Sequence, residues 1–321
     1  MQRILDLVND FQQGNMARAE YWTAMQRFHV GLQDYADLIQ DGRVTQIEIT
    51  RAGLQIVLPN GLRMIWNPGD MRAAPNAVIN HGEYEREELA LLEFLARDCR
   101  VLFDVGANTG WYTLHLAHQL RASGGKVYAF EPIPQTYAEL TRNIALNHCA
   151  PTVVAQNVAL SDVEQTIQLY VPALSGSAAA SQRQLMPNET NQTFECQALT
   201  LDTFARQQSI ARLDLIKCDV EGAELFVLRG GLGSIATHKP MIMLEMLRKW
   251  ARLFAYHPND IIALLSRYGY ACWSFEQGRL VPVSQVDEAC VQTNFFFLHC
   301  DKHADVPARV NQHWEKERQA K

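Results

Sequence analysis

The run Val101–Gly110, VLFDVGANTG, constrains the fold of this chain more than any other stretch. Its first five residues are typical of a buried strand, and Gly106 and Gly110 then allow tight backbone geometry. Apolar residues recur at helical spacing from Trp111 to about Ala122. Strand, glycine turn and helix in this order open a nucleotide-binding α/β unit, in which main-chain N–H groups at the turn approach a ligand closely.

The spacing within this turn does not fit the dinucleotide fingerprint G-x-G-x-x-G. Counted from Gly106, that fingerprint needs glycines at the positions of Asn108 and Trp111. The chain instead has acidic-x-Gly-x-Asn-x-Gly, which resembles the S-adenosylmethionine (SAM) loop of class I methyltransferases with its middle glycine replaced. We expect Asp104, at the strand's end, to accept a hydrogen bond from a cationic group of the ligand. An ordinary strand-to-helix turn in another α/β protein is the alternative.

A second apolar run, Lys126–Pro132, also ends in a carboxylate. Glu131 lies 25 residues after Gly106, near the roughly 20-residue offset at which an acidic residue meets ribose hydroxyls. Pro132 stops this strand. Asn157 follows a third predicted strand, where a polar group is expected to meet the adenine amino nitrogen. A surface glutamate at a strand end is the less favoured interpretation of Glu131.

The composition of the whole chain limits the classes of function. The net charge of −6 over 321 residues disfavours an enzyme that depends on broad neutralisation of nucleic-acid phosphates. No segment approaches the roughly 20 apolar residues of a membrane span, and the first residues lack the apolar core of a signal peptide. The seven cysteines are scattered and form no C-x-x-C pair, which indicates reduced thiols and a cytoplasmic protein.

Residues 1–80 are predicted to form a small module ahead of the main domain, residues 81–321. Helical periodicity covers residues 1 to about 40, and its aromatic stripe includes Tyr21 and Trp22. Two strand-like runs then flank Asn60-Gly61, a strong hairpin signal. The sequence leaves two roles open for this module, a cap over the active site and a homodimer contact.

The main domain continues with alternating helices and strands. A helix from Glu83 to Asp98 would place Tyr84 and Glu85 near the mouth of the crevice, although a solvated face is the simpler interpretation of its acidic start. An insertion with strands near 166–171 and 194–199 carries a loop of small residues, 173–181, which is a candidate lid. The tail from Asp301 is polar and is expected to be frayed.

Several ordered motifs together resemble the FkbM family of SAM-dependent methyltransferases, over roughly residues 83–300. The matching runs are Phe103–Thr113, Phe130–Pro132, Asn157–Asp162, Leu201-Asp202, Ile216–Glu224 and Asn294–Phe297. The resemblance implies a Rossmann-like α/β fold, with a seven-stranded, mostly parallel sheet, helices on both faces and an antiparallel last strand. It implies SAM as cofactor, bound at the carboxyl ends of the strands. The cofactor-binding residues it implies are Asp104, Gly106, Ala107, Asn108, Gly110, Trp111, Tyr112, Thr113, Glu131, Pro132, Asn157, Val158 and Asp219.

The candidate catalytic residues are Asp219, Lys217, Glu245 and Glu221. Methyl transfer to an alcohol requires a base within hydrogen-bond reach of the hydroxyl. Asp219 is the first choice, since it ends the fourth strand, and Lys217 two residues earlier would keep it ionised or serve as base itself. Glu224 is assigned to the first turn of a helix. Carboxylates at 219, 221 and 245 could hold a divalent metal, but the sequence prediction is that no metal is bound.

We expect an O-methyltransferase that acts on a hydroxyl of a small molecule or glycan, such as a surface-polysaccharide sugar or a secondary metabolite. The alternatives are a protein or N-methyltransferase and an inactive SAM-binding subunit. Neither nucleic acid nor a membrane is an expected partner. Because the crevice of the sheet is occupied by SAM, we expect residues 1–80 and the loop 173–193 to choose the acceptor.

Overall fold

The computed structural model of the protein describes residues 3–173 and 176–319. By its internal contacts the chain divides into two compact units, Met1–Trp66 and Asn67–Lys321. The assignment of residues 1–80 to a separate functional module stays a prediction. Two residues of the candidate lid, Leu174 and Ser175, lie outside the described residues.

The first unit pairs a helical hairpin with a small antiparallel sheet. Phe11 stacks on Tyr21 between the two helices, with ring centroids 4.4 Å apart, whereas Trp22 is 59% exposed. The predicted hairpin is present, and its turn closes where the N–H of Gly61 donates to the carbonyl of Leu58 at 2.9 Å. In chain order the unit contains α1 (Ile4–Gln12), α2 (Arg18–Ile39), β1 (Gln46–Thr50), β2 (Gly53–Val57) and β3 (Arg63–Trp66).

The second unit begins with two helices and then alternates strands with helices. In chain order its elements are α3 (Ala74–His81), α4 (Arg86–Ala96), β4 (Val101–Val105), α5 (Trp111–Leu120), β5 (Lys126–Phe130), α6 (Pro134–Leu146), β6 (Val153–Gln156), β7 (Ala159–Leu160), β8 (Gln165–Pro172), β9 (Asn191–Leu199), α7 (Leu201–Gln207), β10 (Leu215–Cys218), α8 (Glu224–Arg229), α9 (Leu232–His238), β11 (Met241–Glu245), α10 (Arg248–Ala251), α11 (Pro258–Ser266), β12 (Tyr270–Glu276), β13 (Arg279–Val283), β14 (Asn294–His299) and α12 (Val306–Gln319).

An eight-stranded sheet forms the centre of this unit, in the order β13-β12-β14-β11-β10-β4-β5-β6. The five strands from β11 to β6 are mutually parallel, and β14 runs antiparallel to β11. The predicted fold class is therefore confirmed. From β4 the chain moves outward through β5 and β6, and it later returns to the other side of β4 with β10. The order of strands thus reverses between β4 and β10, where doubly wound sheets bind their ligands.

Phenylalanines from three elements pack the core beneath this switch point. Phe103 of β4, Phe130 of β5 and Phe204 of α7 are essentially buried and meet edge to face, with centroids 4.7 to 5.7 Å apart. Edge-to-face contact is the favoured geometry for aromatic pairs. This packing holds β4 and β5 rigidly where their carboxyl ends carry the candidate site.

The sequence prediction of seven strands was wrong, because β13 adds an eighth at the edge of the sheet. β12 and β13 are joined by Gln277 and Gly278, which both have positive φ (51° and 77°), as a two-residue hairpin turn of the primed kind requires. Pro282 in β13 is tolerated because an edge strand has one side free of ladder hydrogen bonds. Because of the short polar turn and the proline, the periodicity of the sequence did not indicate a strand here.

The prediction of a frayed tail from Asp301 was wrong, because the tail forms a helix that packs on the domain. Its helix, α12, buries Val306 and Val310, and Trp314 packs edge-on against Phe94 at 5.5 Å. These three apolar residues follow one another at intervals of four, so they form one narrow stripe on an otherwise polar helix. Such a stripe gives little signal in sequence.

The predicted insertion is a second, three-stranded sheet in the order β7-β9-β8. Its loop places Ser177 and Ala178 beside the carboxyl ends of the main sheet, where they line the same cleft as the glycine turn. None of the helices in the described ranges combines the length and apolar character that a bilayer crossing requires.

Candidate active site

Two glycines shape the loop between β4 and α5. Gly106 has a φ of 78°, and a side chain there would overlap the backbone carbonyl of Asp219 on the neighbouring strand. Gly110 has a φ of 100°, and a Cβ there would lie 2.7 Å from Leu140 Cδ1. Both positions therefore require glycine, because the conformation is left-handed and the space is filled.

Hydrogen bonds to the end of β5 fix the glycine loop. The N–H groups of Gly106 and Ala107 both donate to the carbonyl of Phe130, at 3.0 and 2.9 Å, and the N–H of Asn108 donates to Glu131 Oε2 at 3.0 Å. The glycine turn in the sequence predicts that main-chain N–H groups here meet a ligand. In the structure these three N–H groups donate to acceptors within the protein, because the parallel strand β5 ends directly beside them.

Glu131 is buried at the end of β5, and its second oxygen, Oε1, accepts from the N–H of Ile133 at 2.9 Å. Burial raises the pKa of this carboxyl to about 7. Asn157 lies outside the cleft lining, and its amide donates to the carbonyls of Glu131 and Pro132 at 2.9 and 3.1 Å. Since a carboxylate offers about four acceptor sites, Glu131 retains capacity for ribose hydroxyls.

Lys217 is the buried cation of the site, and it lies between two carboxylates. Its Nζ is 3.5 Å from Asp104 Oδ1, 3.6 Å from Asp219 Oδ2 and 3.0 Å from the carbonyl oxygen of Gly106. Asp104 is fully buried and also accepts from the hydroxyl of Thr113 at 2.5 Å. The cation that meets Asp104 is thus Lys217, its register partner on β10. Burial opposes the charge of Lys217, but Asp104 and Asp219 outweigh burial and raise the pKa of the lysine.

Three carboxylates gather at the ends of β10 and β11. Asp219 is 30% exposed, and one oxygen each from Asp219, Glu221 and Glu245 lies within 4.8 Å of the others. Burial, followed by the charge of Asp219, raises the pKa values of Glu221 and Glu245 well above the usual range of a carboxyl. This cluster could take either protons or a divalent cation.

We predict that the cluster works with protons and without a metal. Lys217 Nζ already lies 3.6 Å from Asp219 Oδ2, and a fixed positive charge beside this carboxylate opposes the approach of a second cation. Dialysis against EDTA is therefore expected to leave the methyl-transfer rate unchanged. Loss of activity that Mg²⁺ or Mn²⁺ restores would contradict this prediction.

Glu85 joins the site from the segment just before α4, where its φ of 44° is left-handed. Its Oε2 accepts from the hydroxyl of Tyr112, the second residue of α5, at 2.6 Å. The aromatic ring of the same tyrosine lies 5.2 Å from Lys217 Nζ. The sequence analysis placed Tyr84 and Glu85 near the crevice without giving them a role, and both line it.

Two contacts hold the turn after β10. Glu224 Oε1 accepts from the N–H groups of Val220 and Gly222 at 3.0 and 3.1 Å, so this buried carboxylate supports the turn rather than the cleft. From the insertion, the hydroxyl of Ser181 donates to the carbonyl of Glu221 at 2.8 Å. The insertion is therefore connected directly to the turn that carries Asp219. No sequence pattern singles out Ser181.

These groups surround one cleft of about 1140 Å³, measured with its open mouth. Four predicted site residues do not line it: Asp104, Gly110, Thr113 and Asn157. The predicted residues that do line it are Gly106, Ala107, Asn108, Trp111, Tyr112, Glu131, Pro132, Val158, Lys217, Asp219, Glu221 and Glu245.

The residues present fit SAM. A side chain at position 106 would disrupt the loop beside Asp219, and a buried carboxylate at 131 faces the cleft at the adjacent strand end. Negative groups also predominate in the cleft, which suits a ligand that carries a sulfonium and an ammonium. The buried carboxylate at 131 therefore matches the adenosine half of SAM, and the negative charge of the cleft matches its cationic half.

A mostly parallel sheet whose order reverses beside a glycine loop, with a carboxylate closing the next strand, defines the class I methyltransferase fold. The chain belongs to the FkbM methyltransferase family: the profile of the methyltransferase FkbM domain matches residues 104–272, more than half of its length. The resemblance found in the sequence is thereby confirmed. SAM is the methyl donor of this family.

Three curated relatives are similar to parts of the chain. Methyltransferase sdnD of Sordaria araneosa is 32% identical over 160 residues, which are 40% of this chain and 59% of sdnD. Hexuronic acid methyltransferase AglP of Haloferax volcanii is 27% identical over 52% of this chain and 59% of AglP. The 31-O-demethyl-FK506 methyltransferase FkbM of Streptomyces tacrolimicus is 28% identical over 54% of this chain and 74% of that protein. The chain thus spans about three fifths of the first two.

Solved structures resemble the chain only distantly. Methyltransferase FkbM from Methylobacillus flagellatus KT has a TM-score of 0.39 and 16% identity, over 62% of this chain and 44% of that one. An O-methyltransferase from Bacillus cereus in complex with SAH has a TM-score of 0.37 and 12% identity, over 67% and 80%. At these values the likenesses add nothing to the family assignment.

Proposed function

We propose that the protein transfers a methyl group from SAM to a hydroxyl group of a small molecule or of a sugar in a glycan. The position of Asp219 carries this proposal. Its carboxylate ends β10, lies beside the glycine loop, reaches the cleft, and is 3.6 Å from a lysine that is itself buried and charged. A carboxylate so placed can accept the proton that an alcohol loses when it attacks a methyl group.

When bound, SAM supplies a methyl group on a positively charged sulfur. Asp219 would take the proton that the acceptor hydroxyl loses as its oxygen receives the methyl group. Lys217 pairs with the Asp219 carboxylate at 3.6 Å and so holds it in place. The raised pKa of Lys217 favours this supporting role over the alternative in which the lysine is the base. Glu131 would hold the ribose, and the walls of the cleft would fix the in-line approach.

The names of two relatives support an oxygen acceptor. AglP is named for hexuronic acid and the Streptomyces FkbM for a 31-O-demethyl compound. A panel of sugars, uronic acids and hydroxylated metabolites, incubated with SAM and the protein, tests the proposal by mass spectrometry. We expect a mass gain of one methyl on a hydroxyl of at least one member. Transfer only to amines or to protein would instead favour the N-methyltransferase.

The loop 173–193 and residues 1–80 choose the acceptor in this proposal. Among the described loop residues, Ser177, Ala178, Ala180, Ser181 and Gln182 line the cleft, so the insertion forms part of the surface that an acceptor would meet. For residues 1–80, a cap and a homodimer contact remain the two candidate roles. In α2, no described residue is fully buried although the helix has 22 residues. A helix with so little buried surface is consistent with a contact to a second copy.

Deleting residues 1–40 is expected to leave SAM affinity nearly unchanged and to abolish transfer to the acceptor. The reason is that the glycine loop and Glu131 lie in the other unit, whereas acceptor choice is assigned to the module. Calorimetry with SAM and a turnover assay on the truncated and full chains measure the two effects. Normal turnover after truncation would confine acceptor recognition to the second unit.

The protein is assigned to the cytoplasm in this proposal. Its seven cysteines are all free thiols, and five of them are buried. Free thiols in this number are typical of a reducing compartment.

A further inference from the structure

SAM carries a primary ammonium on its amino-acid half, and a carboxylate that the cleft exposes is the strongest acceptor for such a group. Asp104, the residue expected to meet it, does not line the cleft and is fully buried. Its two oxygens already face Lys217 and the hydroxyl of Thr113. Another carboxylate of the cleft is therefore the candidate to receive the ammonium.

We propose that Glu85 binds the ammonium group of SAM. This inference rests on the proposed function, in which the cleft holds SAM. Glu85 lines the cleft next to the start of α5, the helix that follows the glycine loop, and the hydroxyl of Tyr112 fixes its carboxylate at 2.6 Å. Only Oε2 is used in that contact, and Oε1 has no hydrogen-bond partner within residues 3–173 and 176–319.

The other acidic residues of the cleft are committed elsewhere. Glu131 accepts from two backbone N–H groups at the end of β5, on the side assigned to the ribose. Glu221 and Glu245 cluster with Asp219 at the end where the acceptor would react. The remaining carboxylate of the cleft is Glu85. It lies beside the glycine loop, and a cationic ligand can reach it.

The charge balance agrees with this assignment. Lys217 is compensated by Asp104 and Asp219, so Glu85 adds a negative charge that no cation in contact with it neutralises. Burial, and then the charge of Asp219, raises the pKa of Glu85 to about 7, although Tyr112 and Lys217 act in the opposite direction. An arriving ammonium would stabilise the ionised form and release a proton to solvent.

The pair S-adenosylhomocysteine and 5′-methylthioadenosine tests the proposal, because both contain the adenosine thioether and only the first has the amino-acid group. In Glu85→Gln the affinity for S-adenosylhomocysteine should fall about 10- to 100-fold, the range of a charge-assisted hydrogen bond. The affinity for methylthioadenosine should not change. Glutamine keeps an acceptor for the Tyr112 hydroxyl, and Glu87→Gln, at an exposed position in the first turn of α4, is the matched control. Calorimetry gives both constants without any turnover.

A pH series on the same ligands adds a second readout. The groups that face Glu85 are Tyr112, Asp219, Lys217, Glu88 and Tyr84. Below pH 7 a growing fraction of Glu85 is protonated and neutral, so wild-type affinity for S-adenosylhomocysteine relative to methylthioadenosine should rise from pH 6 to pH 8. In Glu85→Gln that rise should disappear.

If Glu85→Gln lost affinity equally for both ligands, or for neither, the assignment of Glu85 would be overturned while the proposal that the cleft binds SAM would stand. If the wild-type protein binds neither ligand, the proposed function itself fails, and the assignment fails with it. The two failures are therefore distinguishable in one set of titrations.

Discussion

Replacing Asp219 with asparagine is expected to lower kcat for methyl transfer to a hydroxyl by about 10²–10⁴-fold, the usual contribution of a positioned general base. Asparagine is similar in size and cannot accept a proton at neutral pH. Lys217 cannot take over, since Asp104 still holds it in the charged form 3.5 Å away. Steady-state kinetics with a reactive acceptor measures the loss, and calorimetry with SAM reports separately on cofactor affinity.

Asp301→Asn is the control for this variant. Asp301 is exposed and follows β14, whose antiparallel direction places it at the edge of the sheet opposite the cleft. The control should turn over at the wild-type rate. An Asp219→Asn enzyme that keeps most of its activity would argue for a nitrogen acceptor, because an amine nucleophile does not need a strong base.

Replacing Gly106 with alanine is expected to lower the free energy of unfolding by about 2–5 kcal/mol. Left-handed backbone costs a non-glycine residue about 1–2 kcal/mol, and forcing a methyl group into filled space costs about 1–3 kcal/mol more. The filled space here is the carbonyl of Asp219, which is backbone and cannot rotate away. Urea unfolding measures the difference.

Gly124→Ala separates the two contributions. Gly124 has a similar φ of 69°, but nothing lies within 4 Å of the position its Cβ would take. The free energy of unfolding of this variant should fall only by the cost of left-handed backbone, about 1–2 kcal/mol. If both variants lose the same amount, the close approach of β4 and β10 does not explain the requirement for glycine at 106.

The sequence was informative where the relevant contacts are local. Strand, turn and helix follow one another around Gly106, and Glu131 is placed by the next strand, so periodicity and spacing sufficed to predict them. The partner of Asp104 could not be found this way. It depends on β10 lying next to β4, which brings Lys217 from 113 positions away in the chain.

Glu85 was given no role for a similar physical reason. The helix dipole adequately explains four acidic residues at a helix start, Glu83, Glu85, Glu87 and Glu88. The sequence therefore gives no reason to single out Glu85, the one that lines the cleft. Its left-handed backbone and its contact with Tyr112 appear only in the fold. The eighth strand was missed because a two-residue turn precedes it and Pro282 interrupts it. The final helix was missed because it has few apolar residues, and Phe94, against which its Trp314 packs, lies far away in sequence.

The glycine loop is preorganised, because Gly106 and Ala107 are bonded to Phe130 within the protein itself. If a loop became ordered only when its ligand bound, the lost backbone entropy would make the free energy of binding less favourable by about 1–2 kcal/mol per residue. Here that entropy is lost during folding, so ligands meet a surface that needs no rearrangement and associate at similar rates. Differences in affinity between SAM, its product and truncated analogues should then appear almost wholly in their dissociation rates, and hence in how long each one occupies the cleft.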